Sequence, residues 1–127
     1  MQISEKREPW HRPPQLEQNA PNELLARVDV DPGSPWFSGH FPGVPILPGV
    51  AVLSMVFDAI ARQAAERGER MRLSAVRKIR FRRLIRPGER LEISAVRERE
   101  GPPASYAFRV SVGAEPAASG ILLVERF

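Results

Sequence analysis

The chain contains no cysteine, which excludes a disulfide framework, a thiolate metal site and a cysteine nucleophile. Histidine is almost as scarce: His11 and His40 are the only two, and they are too far apart to form a metal-ligand motif. Aromatic residues make up 7% of the chain, and Trp10, Trp36 and Tyr106 are not interleaved with its basic residues. That arrangement lacks the stacking platform of a nucleic-acid binder. The longest largely apolar stretch, residues 44–60, is interrupted by Pro45, Pro48, Ser54 and Asp58, so no membrane span is expected. The first nine residues are charged and lack an apolar run. This predicts no secretory leader and a cytoplasmic protein. Acidic residues are absent between Arg70 and Arg86.

What fills that last gap is positive charge: Arg70, Arg72, Arg77, Lys78, Arg80, Arg82, Arg83 and Arg86, in a chain of net charge +4. A basic stretch of this kind is either a solvated strand face or a surface that steers an acidic partner. With 127 residues, 43% of them apolar, the chain has the size and core material of one domain. Residues 1–21 carry four prolines and read as an arm or irregular lead-in, and residues 22–127 as the domain. Residues 23–30 alternate as a strand. Asp31-Pro32-Gly33-Ser34-Pro35 is a turn cluster. A helix is expected from Pro48 or Gly49 to about Arg67, stopped by Gly68. Its apolar residues spread over most of its circumference, which predicts burial on most sides. Residues 76–85, 90–97, 105–112 and 118–124 then read as an antiparallel meander punctuated by Arg86-Pro87-Gly88-Glu89 and Gly101-Pro102-Pro103.

The segment that carries most chemical information is Gly39-His40-Phe41-Pro42-Gly43-Val44-Pro45-Ile46-Leu47-Pro48-Gly49. Three prolines in seven residues fix their own φ and restrict the residues before them. The loop is thereby suited to hold one imidazole beside a helix start. Imidazole is the side chain best matched to proton transfer near neutral pH. The helix start itself favours negative charge, and glycine at position 49 lets a substrate approach the backbone closely.

Residues 39–50 resemble the active-site segment of the FabZ-type 3-hydroxyacyl-acyl carrier protein dehydratases, whose pattern is His-Phe-Pro, two variable residues, Pro, two more, then Pro-Gly-Val. Ile79 to Leu91 is similar to that family's strand–turn–strand with a Pro-Gly centre, and Ala118-Ser119-Gly120-Ile121-Leu122 to its last strand. The resemblance covers roughly residues 23–127. It implies an α+β hot-dog fold, in which a curved antiparallel sheet wraps one long central helix. It also implies a homodimer with its sites at the subunit interface, and in some members an assembly of dimers.

The implied reaction removes water from a 3-hydroxyacyl thioester to leave a trans-2-enoyl thioester. In that scheme His40 is the base, the Gly49 N–H stabilises the thioester oxyanion, and Phe41, Pro48 and Val50 line the acyl group. The family's acid, a glutamate or aspartate fourteen residues after the histidine, is replaced here by Ser54. Asp58, one turn beyond on the same helix face, either takes over the acid role through a water or pairs with Arg62. His40 serving both steps, and Ser54 as an acylated nucleophile, are further alternatives. His11 reads as a bystander.

No cofactor is expected. The acyl group would arrive on the phosphopantetheine of an acyl carrier protein or of coenzyme A, with Lys78, Arg80, Arg82 and Arg83 as the docking surface and no nucleic-acid partner. Two other readings stay open: a non-catalytic acyl- or carrier-binding subunit of a fatty-acid, polyene or polyketide pathway, and a hot-dog thioesterase.

Overall fold

The computed structural model describes residues 10–37 and 45–127. His40 and Phe41 therefore lie outside the described residues. The elements in chain order are β1 (Gln15–Ala20), β2 (Glu23–Asp29), a short 3-10 turn (Pro35–Phe37), α1 (Gly49–Ala65), β3 (Met71–Phe81), β4 (Arg90–Arg99), β5 (Ala104–Val112) and β6 (Glu115–Arg126). The strands form one six-stranded sheet in the order β1-β2-β4-β5-β6-β3, antiparallel at every pairing. The sheet curves around α1, which is the hot-dog architecture. Among the described residues no helix is long and apolar enough to cross a membrane.

The core forms where the period-2 pattern of the strands meets the helical period of α1. Ala26 and Val28 of β2, Leu91 and Ile93 of β4, Tyr106 and Phe108 of β5 and Leu122 of β6 are buried beneath Ala51, Val52, Met55, Val56, Ala59 and Ile60 of α1. At the far end of α1, Gln63 is 1% exposed. Its Nε2 donates to Asn19 Oδ1 (2.8 Å), the Ala20 carbonyl (2.8 Å) and the Glu23 carbonyl (2.9 Å). One amide thus ties the helix to the β1–β2 turn.

Gly68, at φ +77°, supplies the left-handed residue that ends the helical segment, and the Glu69 N–H turns back to the Ala64 carbonyl at 3.0 Å.

Three expectations need correction. Residues 15–20 are not an irregular lead-in but strand β1, paired from Gln15↔Arg27 to Ala20↔Glu23. The third strand begins at Met71, five residues earlier than expected, and ends at Phe81. Ile85 instead accepts a backbone bond from Leu47 at 2.8 Å and is buried at the foot of the helix. The helix buries one face and not most of its circumference: Val50 is 61% exposed, and Leu53, Ser54, Phe57 and Asp58 are only half-buried. An apolar stripe beyond what the sheet covers is left half-open within a single chain.

Strand β3 is also irregular. Lys78 sits at φ +56° inside a register shift between Arg77 and Arg80, a β-bulge that kinks an edge strand and raises its twist. Ile79 then closes over β6 at Gly120, where an added Cβ would lie 2.4 Å from Ile79 Cδ1. A side chain there would have to displace Ile79.

Candidate active site

The described part of the site is the N-terminal half of α1 and what leans on it. Pro48 is the N-cap, in extended conformation at φ −64° and ψ 152°, and among the described residues no side chain caps the helix. The Ala51 and Val52 amides both turn back to the Pro48 carbonyl, at 3.0 and 3.3 Å. The amides of Gly49 and Val50 precede the first acceptor the helix can offer. No acidic residue occupies the first turn, so the positive end of the helix dipole is not offset there.

Phe81, at the end of β3, lies across the same spot. A Cβ on Gly49 would stand 2.6 Å from Phe81 Cζ. Phe81 is 52% exposed and forms an aromatic wall beside the Gly49 amide. The alternation of Ile79-Arg80-Phe81-Arg82 is consistent with Phe81 on this inner side. Its closeness to Gly49 depends on tertiary packing and has no signal in sequence.

Ser54 is half-buried on the open face of α1, and Asp58 lies one turn further on the same face. Both Asp58 oxygens are engaged. Oδ1 accepts from Arg62 Nε at 3.0 Å, which is the pairing weighed from the sequence. Oδ2 accepts from His11 Nε2 at 3.1 Å, which the reading of His11 as a bystander does not anticipate.

The His11 side chain is 9% exposed, that of Asp58 27%, and His11 Nδ1 is buried with no hydrogen-bond partner among the described residues. The chain around His11 is anchored at several points. Trp10 packs edge-on against Trp36 with centroids 4.8 Å apart, the Trp10 carbonyl accepts from Ser34 Oγ, and Arg12 lies 3.7 Å from Asp31. Trp36 and Phe37 lead directly into the segment that carries His40. Forty-seven residues separate His11 from Asp58, and no spacing rule connects them.

The basic stretch divides in two. Arg83 donates to both oxygens of Glu89, at 2.9 and 2.7 Å, and lies 3.3 Å from Glu115. This bond and the Arg86 amide hold the Glu89 carboxyl down at about 2, while Glu89 raises the Arg83 guanidinium above its ordinary value. Arg83 is thus committed to the Arg86–Glu89 turn, which weakens its case as a docking residue. Arg80 and Arg82 form no ion pair among the described residues. Arg82 shares with Arg109, Ser94, Ser111 and Ser119 a cleft of about 520 Å³ on the outer face of the sheet. Among the described residues no three His, Asp or Glu side chains converge as a metal site.

A family model described as ApeI-like, ApeI dehydratase, matches residues 16–121. The 3-hydroxyacyl-[acyl-carrier-protein] dehydratase FabZ of Oenococcus oeni is 36% identical over 77 residues, covering 58% of this chain and 55% of that protein. FabZ of Desulforamulus reducens is 33% identical over 113 residues, covering 85% and 80%. FabZ of Mannheimia succiniciproducens is 36% identical over 110 residues, covering 81% and 73%. The chain spans about half the length of the first curated relatives it matches.

Among solved structures, the dehydratase heterocomplex ApeI:P from Xenorhabdus doucetiae superposes with a TM-score of 0.73 at 28% identity, covering 87% of this chain and 93% of that one. The fluoroacetyl-CoA-specific thioesterase FlK superposes with a TM-score of 0.68 at 17% identity, covering 83% and 91%, a likeness of fold alone.

Proposed function

The chain belongs to the ApeI-like dehydratase family, and from that premise we propose that it eliminates water from 3-hydroxyacyl thioesters to give trans-2-enoyl thioesters. The observation that carries this reading is the helix start at Pro48–Gly49, which no side chain among the described residues caps, directly after the proline-rich His40 segment in sequence, on a helix face left half-open. His40 takes the C2 proton. The Gly49 amide, at the positive end of α1, stabilises the charge that develops on the thioester oxygen, and a donor so placed lowers a barrier by about 3 kcal/mol. Phe41, Pro48, Val50 and the wall made by Phe81 hold the acyl group. The substrate is carried on phosphopantetheine, and Arg82 in the outer cleft, with Arg80 two residues before it in the chain, favours an acidic carrier protein as its bearer.

The functional unit in this reading is a dimer. The open stripe of Val50, Leu53 and Phe57 and the edge strand β3, with Leu73 40%, Val76 41% and Phe81 52% exposed, support a second subunit closing the site. A second reading, a subunit whose companion chain supplies the acid, is favoured by Ser54 at the position of the family's acidic residue.

The test is the hydration–dehydration equilibrium of a short trans-2-enoyl thioester, followed by its conjugated ultraviolet absorbance. Wild-type turnover that is abolished in His40→Ala is the expected result. An inert wild type that gains activity as Ser54→Glu would refute catalysis by this chain alone and favour the companion-subunit reading.

A further inference from the structure

The dehydratase reading leaves one proton without a source. His40 accepts the C2 proton, and a serine hydroxyl at position 54 is too weak an acid to protonate the departing hydroxyl near neutral pH. One turn along the same face stands Asp58, with His11 Nε2 3.1 Å from its Oδ2 and Arg62 Nε 3.0 Å from its Oδ1. Asp58 keeps 27% of its side chain exposed, whereas His11 is nine-tenths buried behind it.

Asp58 is the only polar partner of the imidazole among the described residues, because Nδ1 is buried without one. The ring is therefore oriented by Asp58 and by the packing of the segment around it. Among the described residues the neighbouring charged groups do not compete for it: Arg62 is bound to the other Asp58 oxygen, and Arg12 lies beside Asp31.

We propose that His11 and Asp58 together hold the proton that the leaving hydroxyl takes up, with Asp58 facing the substrate and His11 as the positioning residue that recharges it. This rests on the dehydratase reading. In the step, His40 removes the C2 proton, the C2=C3 bond forms and the C3–O bond breaks. The hydroxyl leaves as water with a proton from the Asp58 carboxyl, directly or through the Ser54 hydroxyl. The His11–Asp58 pair ends the step with one proton fewer. Solvent returns that proton to the pair and takes the one on His40, so the cycle balances. The device lets a chain without an acidic residue at position 54 keep an acid on the same helix face.

The experiment compares wild type, His11→Phe, His11→Gln, Asp58→Asn and His40→Ala on the short thioester, recording kcat, KM and the pH profile, with melting temperatures as a check on folding. Loss of a general acid costs roughly 100-fold or more. The expected result is a fall of about that size in kcat for His11→Phe and Asp58→Asn with KM within about twofold, together with displacement of the alkaline limb of dehydration. His11→Gln, which keeps an N–H donor for Asp58 but cannot carry the proton, restores the melting temperature and not the limb. An active wild type with His11→Phe and Asp58→Asn within twofold of it and the limb unmoved would overturn this proposal while leaving the dehydratase reading intact. An inert wild type would overturn both.

Discussion

Gln63 offers the sharpest test of how α1 is held against the sheet. Its amide nitrogen has two hydrogens and faces three acceptors at 2.8 to 2.9 Å, two of them backbone carbonyls of the β1–β2 turn. Gln63→Leu keeps a similar volume and removes the donors. Losing the two part-buried bonds to these carbonyls costs about 1.5 kcal/mol each, the upper end for a hydrogen bond. The substitution also deletes Oε1, which has no partner among the described residues, and that relief returns about 1 kcal/mol. The net expectation is a loss of about 2 kcal/mol, or about 8 °C in melting temperature for a domain of this size.

Gln63→Glu is expected to be worse at neutral pH, because a carboxylate would face three acceptor oxygens, and to recover partly in acid as the group gains a hydrogen to donate. Urea unfolding monitored by far-ultraviolet circular dichroism measures both. A Gln63→Leu variant within about 0.5 kcal/mol of wild type, or a Gln63→Glu variant indifferent to pH, would refute the assignment of this amide as the tie between helix and turn.

Other predictions concern the turn, the bulge and the basic surface. Glu89 is held at about 2, below the ordinary 4.5, chiefly by its bond to Arg83. Its folded value is depressed, so its stabilisation is complete above about pH 4.5 and is lost as pH falls towards 2. The melting-temperature gap between wild type and Glu89→Gln should close over that interval, and a gap independent of pH would count against the pairing. Gly120→Ala places a Cβ 2.4 Å from Ile79 Cδ1 and 3.2 Å from Ile79 Cα. Overpacking of this kind costs about 1–3 kcal/mol. Adding Ile79→Ala should recover part of that loss, and strict additivity in the double variant would show that the two residues do not meet. Charge reversal at Arg80 and Arg82 should weaken turnover of carrier-bound substrate while sparing a short thioester. Equal effects on both substrates would remove this surface from the docking model. Arg83→Glu should instead lower the melting temperature, because its partner is Glu89.

The legibility of this protein varied with the range of the interaction. The helix from Gly49 could be read because its apolar residues recur at helical spacing and prolines stand just before it. The strands from β4 onwards could be read because Leu91, Ile93 and Ala95, or Tyr106, Phe108 and Val110, alternate with outward-facing residues. Strand β1 was not readable, since a strand at the sheet edge with polar residues on both faces shows no alternation. The first part of β3 was hidden for the same reason, as Arg72, Leu73 and Ser74 are all exposed. Lys78 gave no sign of its bulge, because left-handed backbone is most readily anticipated at glycine.

At the site the division is similar. His40, Gly49, Ser54 and Asp58 could be named from local spacing and from the family motif. The sequence by itself determined the hot-dog layout, the family, the helix start and the unusual serine, because each is encoded in periodicity or in a motif of a dozen residues. Only the tertiary structure decided that Phe81 covers Gly49, that Arg83 belongs to Glu89, and that His11 lies against Asp58. These contacts join residues brought together by sheet topology and by the path of the N-terminal segment, and chain spacing does not encode them.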